Sequence, residues 1–214
     1  ELQGKVYFIG AGPGAKDLLT IRGKRLIDRA GCIIYTGSLV SDELFEDSSA
    51  EIVDSSSLDL AQIIEVIEKK IKSGVDVARV HTGDPSLYGA IKEQMVRLEQ
   101  KGILYEIVPG VTSAFAAAAA LKAELTLPEV TQTVIITRRG GKTPVPETET
   151  LTSLAQHRTT MMVFLSIGMI REVVEELVEG GGPFDTPVSV VQRARWPDEK
   201  IVTGTSGDIA GKVE

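Results

Sequence analysis

The chain carries a single cysteine, Cys32, in 214 residues. One thiol cannot build an internal disulfide framework or a cysteine-rich metal site. Histidine is almost as scarce, with only His81 and His157. Neither has a cysteine or a second histidine near it in sequence, so no protein-bound metal is expected. Positive charge is also short: 23 Lys and Arg face 30 Asp and Glu, a net charge of −7. A general nucleic-acid or membrane-surface binder needs a basic field, so neither nucleic acid nor membrane is expected as a partner. There is no run of ~18 apolar residues and no secretory pattern at the start. The expected location is the cytoplasm, and Glu1-Leu2-Gln3-Gly4 reads as dispensable. What is there, 43% hydrophobic and 25% charged residues, suits one large or two small globular domains with a real core.

Taken in order, the first half alternates strands and helices. Lys5 to Ile9 predicts a buried strand that stops at Gly10. A helix is expected over Leu18 to Ala30, with Asp17 as its cap. Further strands are expected at Cys32–Tyr35, closed by Thr36-Gly37-Ser38, and at Glu51–Asp54, Val75–Val80 and Leu104–Val108. Leu60, Ile63, Ile64, Ile67 and Ile71 recur at helical spacing with charges between them, the mark of an amphipathic helix. A second helix is expected from Ala90 to Lys101. Such alternation implies parallel pairing with right-handed crossovers. After Pro109-Gly110 the pattern changes. Thr112-Ser113 could cap a helix through the alanines 114 to 120. Strands follow at Thr133–Thr137 and Thr160–Leu165, with a helix at Ile170–Val178. Pro187–Arg193 and Lys200–Thr205 flank Trp196-Pro197-Asp198 at hairpin spacing. The fold class is therefore α/β, in two α/β domains with a cleft between them. Residues 1–112 would form the mainly parallel domain and 113–214 a mixed or antiparallel one.

Three constellations could carry chemistry. Val80 to Ala90, containing Gly83-Asp84-Pro85 and Tyr88-Gly89, reads as a loop at the carboxyl end of a strand, where open α/β sheets put their ligands. It also reads as an ordinary turn rich in Gly, Asp and Pro. Gly10, Gly12 and Ala15 fit the dinucleotide spacing G-x-G-x-x-G/A. Against this, Pro13 removes a backbone N–H from the phosphate cradle, and Tyr35-Thr36 stand where a ribose-binding acid belongs. Arg138, Arg139 and Lys142 form a basic cluster in a glycine loop: either a solvated loop or an anchor for carboxylates. His81, at a strand end, is expected to be a hydrogen-bonded structural residue, and His157 a surface one. No Ser-His-Asp arrangement, Walker loop or zinc motif is present.

The ordered set Gly10-Ala11-Gly12-Pro13-Gly14, Asp17-Leu18-Leu19-Thr20, Gly83-Asp84-Pro85 with Tyr88-Gly89, Val108-Pro109-Gly110-Val111-Thr112-Ser113, Arg193-Ala194-Arg195-Trp196 and Gly204-Thr205 resembles the tetrapyrrole (corrin/porphyrin) methyltransferase family along nearly the whole chain. Tyr35 to Val40, Tyr88-Gly89-Ala90-Ile91 with Glu93-Gln94, Leu125 to Glu129 and Trp196 to Glu199 resemble one subgroup of it.

The resemblance implies two α/β domains flanking a trough, usually in a homodimer. It implies S-adenosylmethionine as methyl donor, lined by Gly83, Asp84, Leu87, Tyr88, Thr112, Ser113, Leu165, Ala194, Gly204 and Thr205. The turn at Pro13 and Gly14 would face a carboxylate-rich, ring-contracted tetrapyrrole, with or without cobalt. Arg138, Arg139 and Lys142 would be candidates for its carboxylates, on charge alone. No catalytic base is identified; Asp84 is the candidate for a catalytic role. Family members typically run on through a further helix and strand, whereas this sequence stops at Glu214 as a helix begins near Gly207; either its tail is cut off or disordered, or the second domain closes differently. A sister methyltransferase of another tetrapyrrole carbon, a nicotinamide oxidoreductase, and a non-catalytic ligand-binding relative remain as alternatives.

Overall fold

The computed structural model describes residues 4–37 and 39–213. The expectations placed on Glu1-Leu2-Gln3, on Ser38 and on Glu214 fall outside these residues. Gly4, however, is buried, and a Cβ on it would lie 2.5 Å from the Val75 carbonyl oxygen. That close packing corrects its reading as dispensable.

The chain divides into two compact units. The first takes the residues up to Ala116 together with Arg193–Pro197. Its centre is a five-stranded sheet of β1 (Val6–Gly10), β2 (Cys32–Tyr35), β3 (Glu51–Asp54), β4 (Val77–His81) and β5 (Tyr105–Val108). All pairs are parallel, in the order β3-β2-β4-β1-β5. A parallel sheet must be covered on both faces, and alternating strand residues serve two cores. Val6, Phe8, Cys32, Ile34 and Val77 pack under α2 (Leu60–Lys72) and α3 (Lys92–Gln100). Ile9, Ile33, Ala78 and Val80 pack under α1 (Ile21–Arg29) and a short 3-10 turn at Asp42–Phe45.

α2 forms for reasons visible in its sequence. Ile63, Ile64, Ile67 and Ile71 are buried on one stripe, each contributing about 1.5–3 kcal/mol. Asp59 and Gln62 close a reciprocal capping box at its start. The helix expected over Leu18–Ala30 starts later than its apolar spacing suggests. Lys16–Leu18 is a separate 3-10 turn, and Thr20, not Asp17, caps α1 by accepting the Gly23 N–H. α4 (Ser113–Ala120) runs from the first unit into the second.

The second unit takes Ala117–Gln192 and the residues from Asp198 on. It holds a parallel pair, β6 (Val134–Arg138) with β7 (Thr160–Phe164), and an antiparallel hairpin, β8 (Pro187–Gln192) with β9 (Lys200–Thr205). Around them lie α5 (Leu151–Ala155), α6 (Ile170–Glu179) and α7 (Ile209–Val213). The mixed character of this half and the hairpin match the sequence reading. Among the described residues no helix is long and apolar enough to cross a membrane.

Candidate functional site

The strand order dictates where the loops meet. β4, β1 and β5 are neighbours, so the segments leaving their carboxyl ends start side by side. β1 leads to α1 on one face, while β4 leads to α3 on the other. The chain therefore parts at this point, where doubly wound sheets open a ligand crevice.

Three glycines make the junction. A Cβ on Gly10 would lie 2.6 Å from Gly110 Cα, and one on Gly110 would lie 2.2 Å from the Gly83 carbonyl oxygen. Only residues without a side chain allow backbones this close. Gly83 itself sits at φ +61 and exchanges two backbone hydrogen bonds with Gly12, at 3.2 and 2.8 Å. Asp84 staples the next turn. Its Oδ1 accepts the Ser86 N–H at 2.8 Å and its Oδ2 accepts the Gly110 N–H at 2.9 Å, tying the loop after β4 to the loop after β5. The Leu87 N–H returns to the Asp84 carbonyl. Tyr88 and Ala90 then adopt left-handed backbone, at φ 57 and 52. Non-glycine residues held there cost free energy and cluster at ligand sites. A Cβ on Gly83 would be 3.7 Å from Thr112 Cα and from the Ser113 nitrogen. So Gly83, Asp84, Thr112 and Ser113 do come together, with Leu87 and Tyr88 on the same loop.

The turn at Pro13 and Gly14 has a brace that the sequence did not announce. Trp196 Nε1 donates to the Pro13 carbonyl oxygen at 2.8 Å. A Cβ on Gly14 would meet the Trp196 indole at 2.3 Å. The Arg193 guanidinium lies 4.0 Å from the indole centroid, and Ala194 between them is buried. Arg193 and Arg195 are both left-handed, at φ 52 and 66.

Leu165, Gly204 and Thr205 belong to the second unit. Leu165 follows β7 at φ 54 with its side chain 74% exposed, while its neighbour Ser166 is buried. Ser166 Oγ accepts the Arg139 N–H and donates to the Phe164 carbonyl oxygen, which fixes the strained turn. At the end of β9, Asp208 Oδ1 accepts from the Thr205 N–H at 2.7 Å.

The basic cluster is more occupied than its charge suggests. Arg138 donates to the Thr143 and Pro144 carbonyl oxygens at 3.0 and 3.1 Å. Arg139 Nε pairs with Glu176 at 2.7 Å, both side chains about three-quarters buried. Lys142 is exposed.

Beneath the loop after β4 lies a polar cluster that a charge inside an apolar strand was the one sequence signal for. Arg79 is 6% exposed and donates to Gln94 Oε1 and to the Ile34 carbonyl oxygen, both at 3.3 Å. Gln94 passes the contact on to the Ala90 carbonyl oxygen. Burial pulls the Arg79 pKa down to about 10. His81, expected to be a hydrogen-bonded structural residue, is buried beside Phe8, and its Nε2 has no hydrogen-bond partner. An apolar neighbour offers nothing to accept or donate. Burial, with Arg79 beside it, pushes the imidazole pKa down to about 3, so it is neutral at pH 7. His157 is exposed, as expected. Among the described residues no three His, Cys, Asp or Glu side chains group as a metal centre would need.

A doubly wound sheet whose glycine-pinned loops converge at its switch point, followed by a second α/β unit, is the architecture of a small-molecule enzyme. The chain belongs to the tetrapyrrole (corrin/porphyrin) methylases, whose sequence profile matches residues 5–210. It is 56% identical over 212 residues to the cobalt-precorrin-4 C(11)-methyltransferase of Methanocaldococcus jannaschii, covering 98% of this chain and 82% of that one. It is 53% identical over 209 residues to the precorrin-4 C(11)-methyltransferase of Pseudomonas aeruginosa, covering 97% and 83%. Among solved structures, the X-ray structure of a cobalamin biosynthetic cobalt precorrin-4 methyltransferase superposes with a TM-score of 0.95 at 49% identity, covering 98% and 88%. The uroporphyrin-III C-methyltransferase of Thermus thermophilus, complexed with S-adenosylhomocysteine, superposes with a TM-score of 0.83 at 26% identity, covering 99% and 92%.

Proposed function

We propose that the chain is an S-adenosylmethionine-dependent C-methyltransferase acting at C11 of precorrin-4, with or without cobalt, in cobalamin biosynthesis. The observation that carries this is identity of 53–56% along almost its full length to enzymes of that name. The two names differ over cobalt, so both forms of the macrocycle stay within the proposal. A homodimer in the cytoplasm is part of the same reading.

The donor site we assign comprises Gly83, Asp84, Leu87, Tyr88, Thr112, Ser113 and Ala194 from the first unit, with Leu165, Gly204 and Thr205 from the second. The residues suit such a ligand. A glycine at φ +61, strained turns at Tyr88 and Leu165, and backbone brought close by Gly10 and Gly110 offer main-chain groups without steric cover. The donor brings an electrophilic methyl on a positively charged sulfur. This chain therefore needs to bind, align and exclude water, and alignment alone can supply roughly 7–11 kcal/mol. Asp84, with both oxygens accepting backbone N–H groups, acts here by setting the loop and not as a base. Pro13 and Gly14 meet the macrocycle. Arg138, Arg139 and Lys142 stand as contacts for its carboxylates, Lys142 being the exposed one.

Calorimetric titration of the chain with S-adenosylhomocysteine, with NADH as control, tests the class. One-per-chain binding of the first alone is expected; NADH binding alone would overturn the reading. The methylated carbon is then read by NMR of the product, and methylation elsewhere than C11 would assign a sister activity.

A further inference from the structure

The segment Arg193–Pro197 is the loop of the β8–β9 hairpin, yet it packs with the first unit, 183 residues from its contact at Pro13. Two left-handed arginines fold it back, and a buried Ala194 anchors it. Its one aromatic side chain, Trp196, makes three kinds of contact at once. The Nε1–H holds the Pro13 carbonyl, the ring fills the space a side chain on Gly14 would need, and the Arg193 guanidinium lies 4.0 Å from the indole centroid. Pro13 cannot hold its turn through a backbone N–H, because it has none. Gly14, at φ +154, lacks a side chain that could fix it. Trp196 braces this turn from outside.

We propose that Trp196 is a positioning residue: it sets the Pro13–Gly14 turn in the shape that receives the macrocycle, and Arg193 keeps the indole in place. The proposal rests on the reading that this turn meets a tetrapyrrole. It separates two functions within one unit. The donor loop is held by Asp84 and by the glycine junction, which also ties it to Gly12, whereas Pro13 and Gly14 are held in addition by Trp196. Losing the tryptophan therefore weakens tetrapyrrole binding more than donor binding.

The test uses the full chain and two probes, S-adenosylhomocysteine by calorimetry and uroporphyrin III, a stable carboxylate-rich tetrapyrrole, by fluorescence. Trp196 is the only tryptophan, so its emission reports on this contact alone. In the wild type, uroporphyrin III should quench it saturably. Trp196→Phe keeps a ring and loses the N–H; uroporphyrin III affinity should fall two- to tenfold, the worth of one hydrogen bond, with S-adenosylhomocysteine affinity unchanged within about twofold. Uroporphyrin III absorbance reports binding to this variant. In turnover, KM for the tetrapyrrole should rise by the same factor while kcat holds. Gly14→Ala, whose methyl meets the same indole, should weaken uroporphyrin III at least as much and shift the Trp196 emission; it also serves if Trp196→Phe fails to fold. Variants that bind uroporphyrin III like the wild type, or lose both probes equally, overturn the proposal. A wild-type chain that binds S-adenosylhomocysteine but neither binds nor methylates a tetrapyrrole overturns the substrate reading itself.

Discussion

Adding one methyl group at Gly110 tests the glycine junction directly. The residue's φ lies outside the left-handed range, so Gly110→Ala carries no backbone penalty there; only contact matters. The new Cβ would lie 2.2 Å from the Gly83 carbonyl oxygen and 2.7 Å from Gly10 Cα, both backbone atoms of neighbouring loops. Comfortable contact begins near ~3.4 Å, so one loop must move by about 1 Å. Overpacking of this kind costs about 1–3 kcal/mol, which for a chain of this size lowers the melting temperature by roughly 2–12 °C. The moving loop carries Gly83 and Asp84, and a displacement of ~1 Å in a positioned site can cost on the order of a hundredfold in rate. Differential scanning calorimetry and the rate of methyl transfer measure the two effects, and S-adenosylhomocysteine titration shows whether donor binding moves with them. Gly211→Ala is the control, since nothing lies within 4 Å of a Cβ there and it sits in α7. A Gly110→Ala chain that melts and binds like the wild type would refute the junction.

Other outcomes follow from single groups. Asp84→Asn keeps the shape but leaves one acceptor for two backbone N–H groups; about 1.5–3 kcal/mol should be lost, and an unmoved denaturant midpoint would show that the staple carries no weight. His81 is neutral in the fold down to about pH 3 but protonates near 6.5 when unfolded. The unfolded state thus binds the extra proton, so stability is full above pH 6.5 and is lost progressively as pH falls toward 3, by about 2 kcal/mol at pH 5. His81→Phe should flatten that dependence in urea titrations at pH 5 and pH 8, and an equally steep loss would assign it to other groups. Arg139→Ala should lower the melting temperature by unpairing Glu176, more than Lys142→Ala does, while Lys142→Ala should cost more in uroporphyrin III affinity; the reverse order would make Arg139 the stronger carboxylate contact.

The elements of the first unit were legible because their patterns are local. Cys32–Tyr35 and Glu51–Asp54 form as read, and α2 is fixed by its isoleucine stripe and its acid cap. Errors came where two local signals competed. Asp17 and Thr20 both fit a cap, and the 3-10 turn at Lys16–Leu18 decided for Thr20. β1 and β4 each run one residue further than expected, to Gly10 and His81, because ladder pairing between them extends their ends. α5 has five residues and no full apolar period to detect. The site is a different matter. Gly83-Asp84-Pro85 was visible as a motif, but that Asp84 binds the Gly110 N–H depends on β4, β1 and β5 being neighbours. Strand order is set by packing of whole faces, which no window of sequence contains. Likewise Arg79 signalled only an anomaly; its partners Gln94 and Ile34 come from a helix and another strand.

The Trp196 contact also has a history in time. Ribosomes make chains from the amino end, and Pro13 is made long before the indole that will hold it, 183 residues later. Closing so long a loop is entropically slow and pays only when both ends are already ordered. The sheet and both its covering layers can form from residues up to Ala116 while the macrocycle turn still lacks its brace. A nascent or clipped chain ending before the hairpin would hold the loop that Asp84 staples but lack the brace on the Pro13–Gly14 turn.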